Sequence, residues 1–197
     1  MLPPDRVSLL DDIQITLADD VYQGNHASID LGNRKVDFWT WGTAHSPGDQ
    51  IIMIPDQKVI FAGDLIEERI FPIVPLFPPT IQARDINLSL WEKALTQITQ
   101  QRPRIIVPGH GNLGGVEIAN QVRNYFQEIR RLVASSKANK INAAQAVRQI
   151  ELVVQHRHPT IEELSQTEVI WLEAGYSSEH FDRVVQQKSG ARVEVIE

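Results

Sequence analysis

Hydrophobic and polar residues alternate along two early stretches of the chain, residues 7–17 and residues 28–41. Alternation with a period of two is typical of β-strands that bury one face. Within the second stretch, Ile29 and Val36 flank the segment L-G-N-R at residues 31–34, whose Gly and Asn favour a tight turn. The pattern therefore predicts that the chain opens with β-structure that includes a hairpin.

Two short apolar runs predict a second hairpin. I-I-M-I at residues 51–54 and K-V-I-F at residues 58–61 are separated by Pro-Asp-Gln at residues 55–57, a composition typical of turns. The second strand of this hairpin leads directly into Gly63 and Asp64. We therefore expect Asp64 at the far end of the hairpin.

Helical periodicity follows, with a predicted helix over residues 86–101. Ser89 and Glu92 have the spacing of a capping box near its start. Its apolar positions recur at helical spacing, namely Trp91, Ala94, Leu95 and Ile98. A strand is predicted over residues 104–107, and it presents His110 just beyond its end.

A second helix is predicted over residues 116–133. One of its faces is apolar: Ala119, Val122, Phe126, Ile129 and Val133. Beyond residue 135 the periodicity indicates further helices around residues 143–150, 160–174 and 179–187, then a strand-like end. We interpret residues 1–134 as one layered domain and residues 135–197 as a helical C-terminal extension.

The composition is that of a protein with one ordinary core. The 197 residues are 42% hydrophobic and 22% charged, so a folded domain is expected and disorder is not. A net charge of −6 disfavours binding to nucleic acid or to an anionic membrane surface. The absence of cysteine excludes disulfides, and neither a signal peptide nor a membrane-spanning stretch is recognisable, so we expect a cytoplasmic protein.

Three metal-capable side chains each stand beside Gly or Pro next to apolar, strand-like runs. They are His45 in T-A-H-S-P-G-D, Asp64 in F-A-G-D, and His110 in V-P-G-H-G. Imidazole nitrogens and a carboxylate are ligands that zinc or iron accepts. We therefore predict that these three residues converge as a metal site at one rim of the sheet.

Each of the three residues also has an ordinary structural explanation. His45 would serve as a hydrogen-bonded loop histidine, and Asp64 after Gly63 would cap a turn. The glycines around His110 suit a tight bend but do not explain the histidine. The ordered occurrence of all three favours the metal site over three separate structural roles.

The ordered segments A-H-S-P-G-D, F-A-G-D and V-P-G-H-G resemble the metallo-β-lactamase superfamily of metal-dependent hydrolases, over roughly residues 7–133. The resemblance implies an α/β (α+β layered) fold, half of an αββα sandwich, with a mixed, mainly antiparallel sheet. It implies that His45 completes the ligands of one metal, Asp64 bridges two metals and His110 completes the other set. Zinc is the expected metal, with iron or manganese as alternatives.

The family's upstream H-x-H-x-D-H motif is not present in this chain. We therefore expect a hydrolase module that lacks its N-terminal portion or is complemented by another chain, and that is metal-free if three ligands do not suffice. Its substrate would be a small ester, thioester, lactone, amide or phosphoester.

Two other functions stay open. An exposed half-sandwich would associate with a second copy of itself, as a homodimer, or with a complementing chain, without catalysis. The composition of His45, Asp64 and His110 also matches the ligands of mononuclear iron oxidoreductases.

Two further features have ordinary explanations. H-R-H at residues 156–158 repeats the H-x-H spacing but is followed by Pro159, so we interpret it as the end of a helix. The apolar segment at residues 70–79 would either line a substrate pocket or pack on the core.

Overall fold

The computed structural model of the protein describes residue 14 and residues 16–69 and 85–157. The elements in chain order are β1 (His26–Asp30), β2 (Lys35–Trp39), β3 (Ile51–Ile54), β4 (Val59–Glu67), α1 (Leu88–Gln100), β5 (Ile105–His110), α2 (Val116–Ala138) and α3 (Ala143–Arg157). Most of the stretch 7–17, the segment 70–79 and the elements predicted after residue 157 lie outside the described residues. The proposed division after residue 134 stays a prediction.

The strands form one five-stranded sheet in the order β1-β2-β3-β4-β5. The first four strands are antiparallel to their neighbours, and β5 pairs in parallel with β4. Both predicted hairpins are confirmed, because the Leu31 N–H donates to the Arg34 carbonyl at 2.9 Å and the Gln57 N–H donates to the Ile54 carbonyl at 3.2 Å. The expected mixed, mainly antiparallel sheet is therefore present.

Strand β4 is longer than the sequence predicted. It continues to Glu67, so Asp64 lies inside the strand and not at its end. Its pairing with β5 is irregular, since Gly63 pairs with Pro108 but the next pair is Glu67 with His110. Between these two pairs β4 advances by four residues, whereas β5 advances by only two. An irregularity of this kind bends a strand, here at the rim of the sheet where the candidate site lies.

Helix α1 begins one residue earlier than the predicted capping box. The side chain of Asn87 accepts a hydrogen bond from the Leu90 N–H at 2.9 Å and is the N-cap. The predicted cap at Ser89 is wrong, because Asn is as good an N-cap as Ser and Asn87 has the extended backbone that the position requires. The Glu92 carboxylate instead pairs with Arg130 of α2.

Helix α2 continues past the predicted end at residue 133, as far as Ala138. Ser136 is buried within this extension, and Lys137 lies in the last turn, where a cation interacts favourably with the helix dipole. Helix α3 confirms the predicted periodicity, since Val147 and Ile150 are buried. It is described as far as Arg157, so the helix end predicted at H-R-H falls at the limit of the described residues and stays a prediction.

The core lies between the helices and one face of the sheet. Its largest fully buried side chains include Trp91 and Leu95 of α1, Phe126 and Ile129 of α2, and Ile60 of β4. We call the face of the sheet that contacts the helices the inner face. The residues that alternate with it along the strands form a second apolar surface, the outer face: Ala27, Ile29, Val36, Phe38, Ile52, Ile54, Val59, Phe61, Ile105 and Val107. Of these, Ile29 is 50% exposed and Phe61 is 44% exposed.

Among the residues that the structure describes, no helix is both long enough and apolar enough to cross a membrane.

Candidate metal centre

Asp64 and His110 lie side by side at one rim of the sheet. Asp64 comes from β4 and His110 ends the neighbouring parallel strand β5. The distance from Asp64 Oδ1 to His110 Nε2 is 3.5 Å, and both side chains are almost half exposed. The structure thus brings together two of the three residues that the sequence singled out, and their role as ligands stays a prediction.

Glu67 joins this pair. One donor atom from each of Asp64, Glu67 and His110 lies within 4.8 Å of the other two. Glu67 is only 3% exposed, which is unusual for a carboxylate. We call these three residues the donor group.

Sequence reasoning missed Glu67 for a geometric reason. In a regular strand, residues 64 and 67 point to opposite faces. The register shift between the Gly63 and Glu67 pairs removes this alternation, and Gly63 itself has a positive φ of 53°. The available signal was a charged residue directly after the apolar pair Leu65-Ile66, in the sequence D-L-I-E-E-R at residues 64–69.

Two glycines of V-P-G-H-G allow β5 to approach β4 at the site. A Cβ atom on Gly109 would lie 2.0 Å from Asp64 Oδ1. Gly111 has a φ of +93°, and a Cβ there would lie 2.3 Å from the Glu68 carbonyl oxygen. The Glu68 N–H also donates to the His110 carbonyl at 2.9 Å, so the backbone on both sides of the donor group is fixed.

His45 occupies a separate, tightly bonded loop. The Asp49 carboxylate closes this loop: its Oδ2 accepts hydrogen bonds from the N–H groups of Ala44, His45 and Ser46 at 3.1, 2.6 and 3.0 Å, and its Oδ1 accepts one from the Ser46 hydroxyl at 2.7 Å. The His45 side chain is 11% exposed and meets the Trp91 ring edge-on, with 5.2 Å between ring centroids. Asp49, the last residue of the motif T-A-H-S-P-G-D, therefore fixes the shape of this loop.

The described residues contain no donor group that includes His45. Within that 4.8 Å limit the structure does not gather His45 with Asp64 and His110, and its role as a ligand stays a prediction. The two-imidazole, one-carboxylate set considered for iron chemistry would also require His45. The donor group has the opposite balance, with two carboxylates and one imidazole.

Comparison with known proteins decides the family. The family profile described as "Metallo-beta-lactamase superfamily" matches residues 5–110, which is more than half of the 197 residues. The chain belongs to the metallo-β-lactamase superfamily. The resemblance inferred from the three motifs is confirmed.

Individual relatives within the metallo-β-lactamases are distant. The chain is 20% identical over 103 residues to metallo-beta-lactamase type 2 of Bacteroides fragilis, a match that covers 51% of this chain and 39% of the relative. Among solved structures, it matches a metallo-beta-lactamase from Pontibacter korlensis at 18% identity and a TM-score of 0.45, covering 59% of this chain and 52% of that chain. It matches the DIM-1 metallo-beta-lactamase at 17% identity and a TM-score of 0.44, covering 61% and 52%. The chain thus spans about half, or less, of the length of these relatives.

The donor group fits the metal that the metallo-β-lactamase fold implies. Two ligands held about 2.1 Å from a tetrahedral ion lie roughly 3.4 Å apart, close to the 3.5 Å between Asp64 Oδ1 and His110 Nε2. Two carboxylates facing one imidazole also leave an excess of negative charge that a divalent cation would neutralise. The arrangement is suited to binding zinc, iron or manganese.

Proposed function

We propose that this chain is a metal-dependent hydrolase module of the metallo-β-lactamase superfamily, with Asp64 and His110 as metal ligands. The observation that carries the proposal is the 3.5 Å approach of Asp64 Oδ1 to His110 Nε2, at positions where two family motifs coincide with the rim of the sheet. Zinc is the expected metal, with iron or manganese as alternatives. The substrate is a small molecule, and the net charge of −6 supports neither nucleic acid nor an anionic membrane as a partner.

The residues of the rim have distinct tasks in this proposal. When bound, the metal supplies Lewis-acid polarisation of a carbonyl or phosphoryl oxygen and activates water. Asp64 and His110 would hold the metal, and their side chains are almost half exposed to the solvent from which a substrate would come. Gly109 keeps the Asp64 carboxylate against β5, and the hydrogen bond from the Glu68 N–H holds the backbone of His110. Preorganised ligands of this kind cost little to order when the metal binds.

The chain's own motifs supply fewer ligands than a two-metal site requires. The H-x-H-x-D-H motif is absent from the sequence, so we propose that a complementing segment or chain carrying it completes the catalytic site. Hydrolysis of an ester, thioester, lactone, amide or phosphoester is then the expected activity of the completed protein.

Metal retention tests this proposal directly. We expect the purified chain, dialysed at neutral pH, to retain zinc, iron or manganese, and Asp64→Asn and His110→Ala to retain much less, as measured by elemental analysis. His26→Ala is the matched control, because His26 lies in β1 at the opposite edge of the sheet. No metal retained by the unaltered chain, alone or with a complementing chain, contradicts the proposal.

Variants of His45 test whether this third motif residue is a metal ligand. If His45 binds metal in the completed site, His45→Ala lowers retention when the complementing chain is present. If its role is confined to the loop closed by Asp49, His45→Ala lowers stability without changing metal content. Elemental analysis and thermal melting separate the two outcomes.

Protein association is a second candidate function, favoured by the outer face of the sheet. Its ten residues are all apolar and run across all five strands, with Phe61 and Ile29 about half exposed. Contiguous apolar surface of this kind marks interaction sites in soluble proteins. We propose that a second copy of the chain packs on it, as a homodimer.

Sedimentation tests the association. We expect a concentration-dependent dimer that Phe61→Ser weakens, whereas Leu152→Ser, which alters an exposed apolar residue of α3, does not. A monomer at every concentration contradicts self-association, and dimerisation unaffected by Phe61→Ser places the interface elsewhere.

A further inference from the structure

We infer that Glu67 supplies a third metal ligand, so that Asp64, Glu67 and His110 together bind a single divalent cation within this chain. The inference rests on the proposed function, because it concerns the same rim of the sheet. It differs from the arrangement that the family motifs imply, in which Asp64 lies between two metals and neither ligand set is complete without the upstream motif.

The backbone places Glu67 beside His110. These two residues are register partners in the β4–β5 ladder, although Asp64 and Glu67 are three residues apart on one strand. Because β4 advances by four residues between its Gly63 and Glu67 pairs while β5 advances by two, the Asp64 and Glu67 carboxylates both reach the His110 imidazole. All three donor atoms then lie within 4.8 Å of one another, a separation that small side-chain rotations close to coordination distance.

The burial of Glu67 adds a second argument. The side chains on its N-terminal side, Leu65 and Ile66, are 3% and 0% exposed, so this part of β4 is anchored in the core. Glu67 itself is 3% exposed, so its carboxylate is held in place by the residues packed around it. A ligand anchored by packing in this way loses little freedom when a cation binds.

The composition of the donor group indicates which cations suit it. Carboxylate oxygens suit manganese and magnesium, and imidazole suits zinc, iron and copper, so the mixed set favours zinc, iron or manganese in the divalent state. Three protein ligands also leave at least one coordination position for water or substrate, as in catalytic zinc sites. The chain by itself then supplies three protein ligands, the number found in catalytic single-zinc sites.

The test is a metal titration of the full chain, freed of metal by a chelator and titrated with Zn²⁺ alone and with Co²⁺ alone. We expect one ion per chain. Glu67→Gln keeps the side-chain shape but removes the charge, and it should lower Zn²⁺ affinity by more than the 10- to 100-fold typical of residues behind the ligands. The visible absorption of bound Co²⁺ should change as well, because the coordination changes.

Glu117→Gln is the matched control. Glu117 is an exposed residue in the first turn of α2, and its Oε1 accepts a hydrogen bond from the Gly115 N–H at 2.5 Å, outside the donor group. We expect its Zn²⁺ affinity to stay within about threefold of the unaltered chain. Circular dichroism of the metal-free variants checks that they fold; if Glu67→Gln does not, Glu67→Asp, which keeps the charge but shortens the reach, should fold and still lower the affinity.

The outcomes separate this inference from the proposed function. If Asp64→Asn and His110→Ala lose Zn²⁺ while Glu67→Gln and Glu67→Asp behave as Glu117→Gln does, Glu67 is not a ligand and the inference is overturned, but the proposed function stands. If the unaltered chain binds neither Zn²⁺ nor Co²⁺ alone yet binds metal with a complementing chain, the single-chain site is also overturned. If no metal binds under either condition, both fail.

Discussion

Gly109 lies so close to Asp64 that a Cβ atom on residue 109 would stand 2.0 Å from Asp64 Oδ1. It would also lie 2.8 Å from the carbonyl carbon of Gly63, so the obstacle includes backbone and not only a movable side chain. The position of the Asp64 carboxylate beside His110 therefore depends on the absence of a side chain at residue 109.

Gly109→Ala should displace the Asp64 carboxylate and widen the β4–β5 pairing. We expect a loss of about 1–3 kcal/mol in the free energy of unfolding, the range for overpacking, and at least a tenfold loss of Zn²⁺ affinity. Urea unfolding and Zn²⁺ titration measure the two effects. Gly48→Ala is the control, because a Cβ at Gly48 meets nothing within 4 Å; equal effects in the two variants would contradict the steric argument.

Asp49 holds the His45 loop through one carboxylate. Asp49→Ala removes the acceptor for three backbone N–H groups and one hydroxyl. Since hydrogen bonds to charged groups are stronger than neutral ones, we expect a loss of about 2–4 kcal/mol in the free energy of unfolding. Urea denaturation measures it, and Asp56→Ala, at the exposed turn between β3 and β4, should change little by comparison.

Asp49→Asn refines this prediction. The amide keeps one oxygen for the backbone N–H groups but loses the negative charge, so its stability should fall between those of the unaltered chain and Asp49→Ala. An amide variant as unstable as the alanine variant would mean that charge, and not acceptor geometry, holds the loop.

Trp91 connects the core to the strand that carries Asp64. Its indole N–H donates to the Leu65 carbonyl at 2.8 Å, and its ring packs against Phe126 with 4.9 Å between centroids. Trp91→Phe leaves that carbonyl without its donor and opens a cavity, so we expect a loss of about 2–4 kcal/mol in unfolding free energy. Unfolding followed by far-ultraviolet circular dichroism measures it; an effect no larger than that of Trp41→Phe, at a half-buried position, would contradict the assignment.

Asp37 should make stability depend on pH in the acid range. Burial by itself raises the pKa of this carboxyl, but the hydrogen bond from Ser28 at 2.5 Å and the charges of Lys35 and His26 outweigh it and hold the pKa below its ordinary value of 3.8. Because the folded-state pKa is lowered, the stabilisation is present above pH 3.8 and is lost as the pH falls through the folded-state pKa.

Ser28→Ala tests this dependence. The substitution removes the hydrogen bond and raises the Asp37 pKa, so the variant should be less stable than the unaltered chain at pH 7. The difference should shrink as the pH falls from 3.8 through the lower folded-state pKa of the unaltered chain, because the carboxyl then becomes protonated in both proteins. Urea midpoints at several pH values measure it. A difference independent of pH would show that the serine acts through packing and not through the carboxyl.

Local patterns predicted the elements of the sheet and helices well. Alternation around the turn at residues 31–34 gave the first hairpin, and the apolar spacing of Trp91, Leu95 and Ile98 gave α1. Signals of this kind depend on neighbours within a few residues, which the sequence displays directly. The N-cap of α1 was misplaced because several residues in the same turn are suitable caps, and only the backbone conformation at Asn87 distinguishes them.

The candidate site was predictable only in part. Asp64 and His110 stand next to glycines in family motifs, and both signals are local. Glu67 joins them through the register shift between β4 and β5, a property of two strands that are distant in the sequence. The motif around His45 indicates a turn-rich loop. No local signal in that motif fixes the distance between the loop and the rim of the sheet, so the sequence alone could not decide whether His45 joins the site.

The donors of the rim come from two strands that are adjacent in space but separated along the chain by α1. The β-hairpins can form from nearby residues, whereas β5 can join β4 only after the chain has closed a long loop, which is entropically costly and slow. A folding intermediate with β1 to β4 in place would contain Asp64 and Glu67 but not yet His110. Metal uptake during refolding would therefore report when β5 pairs with β4. Metal added at the start of refolding should shift the equilibrium toward the chain with β5 paired, because the metal binds that state.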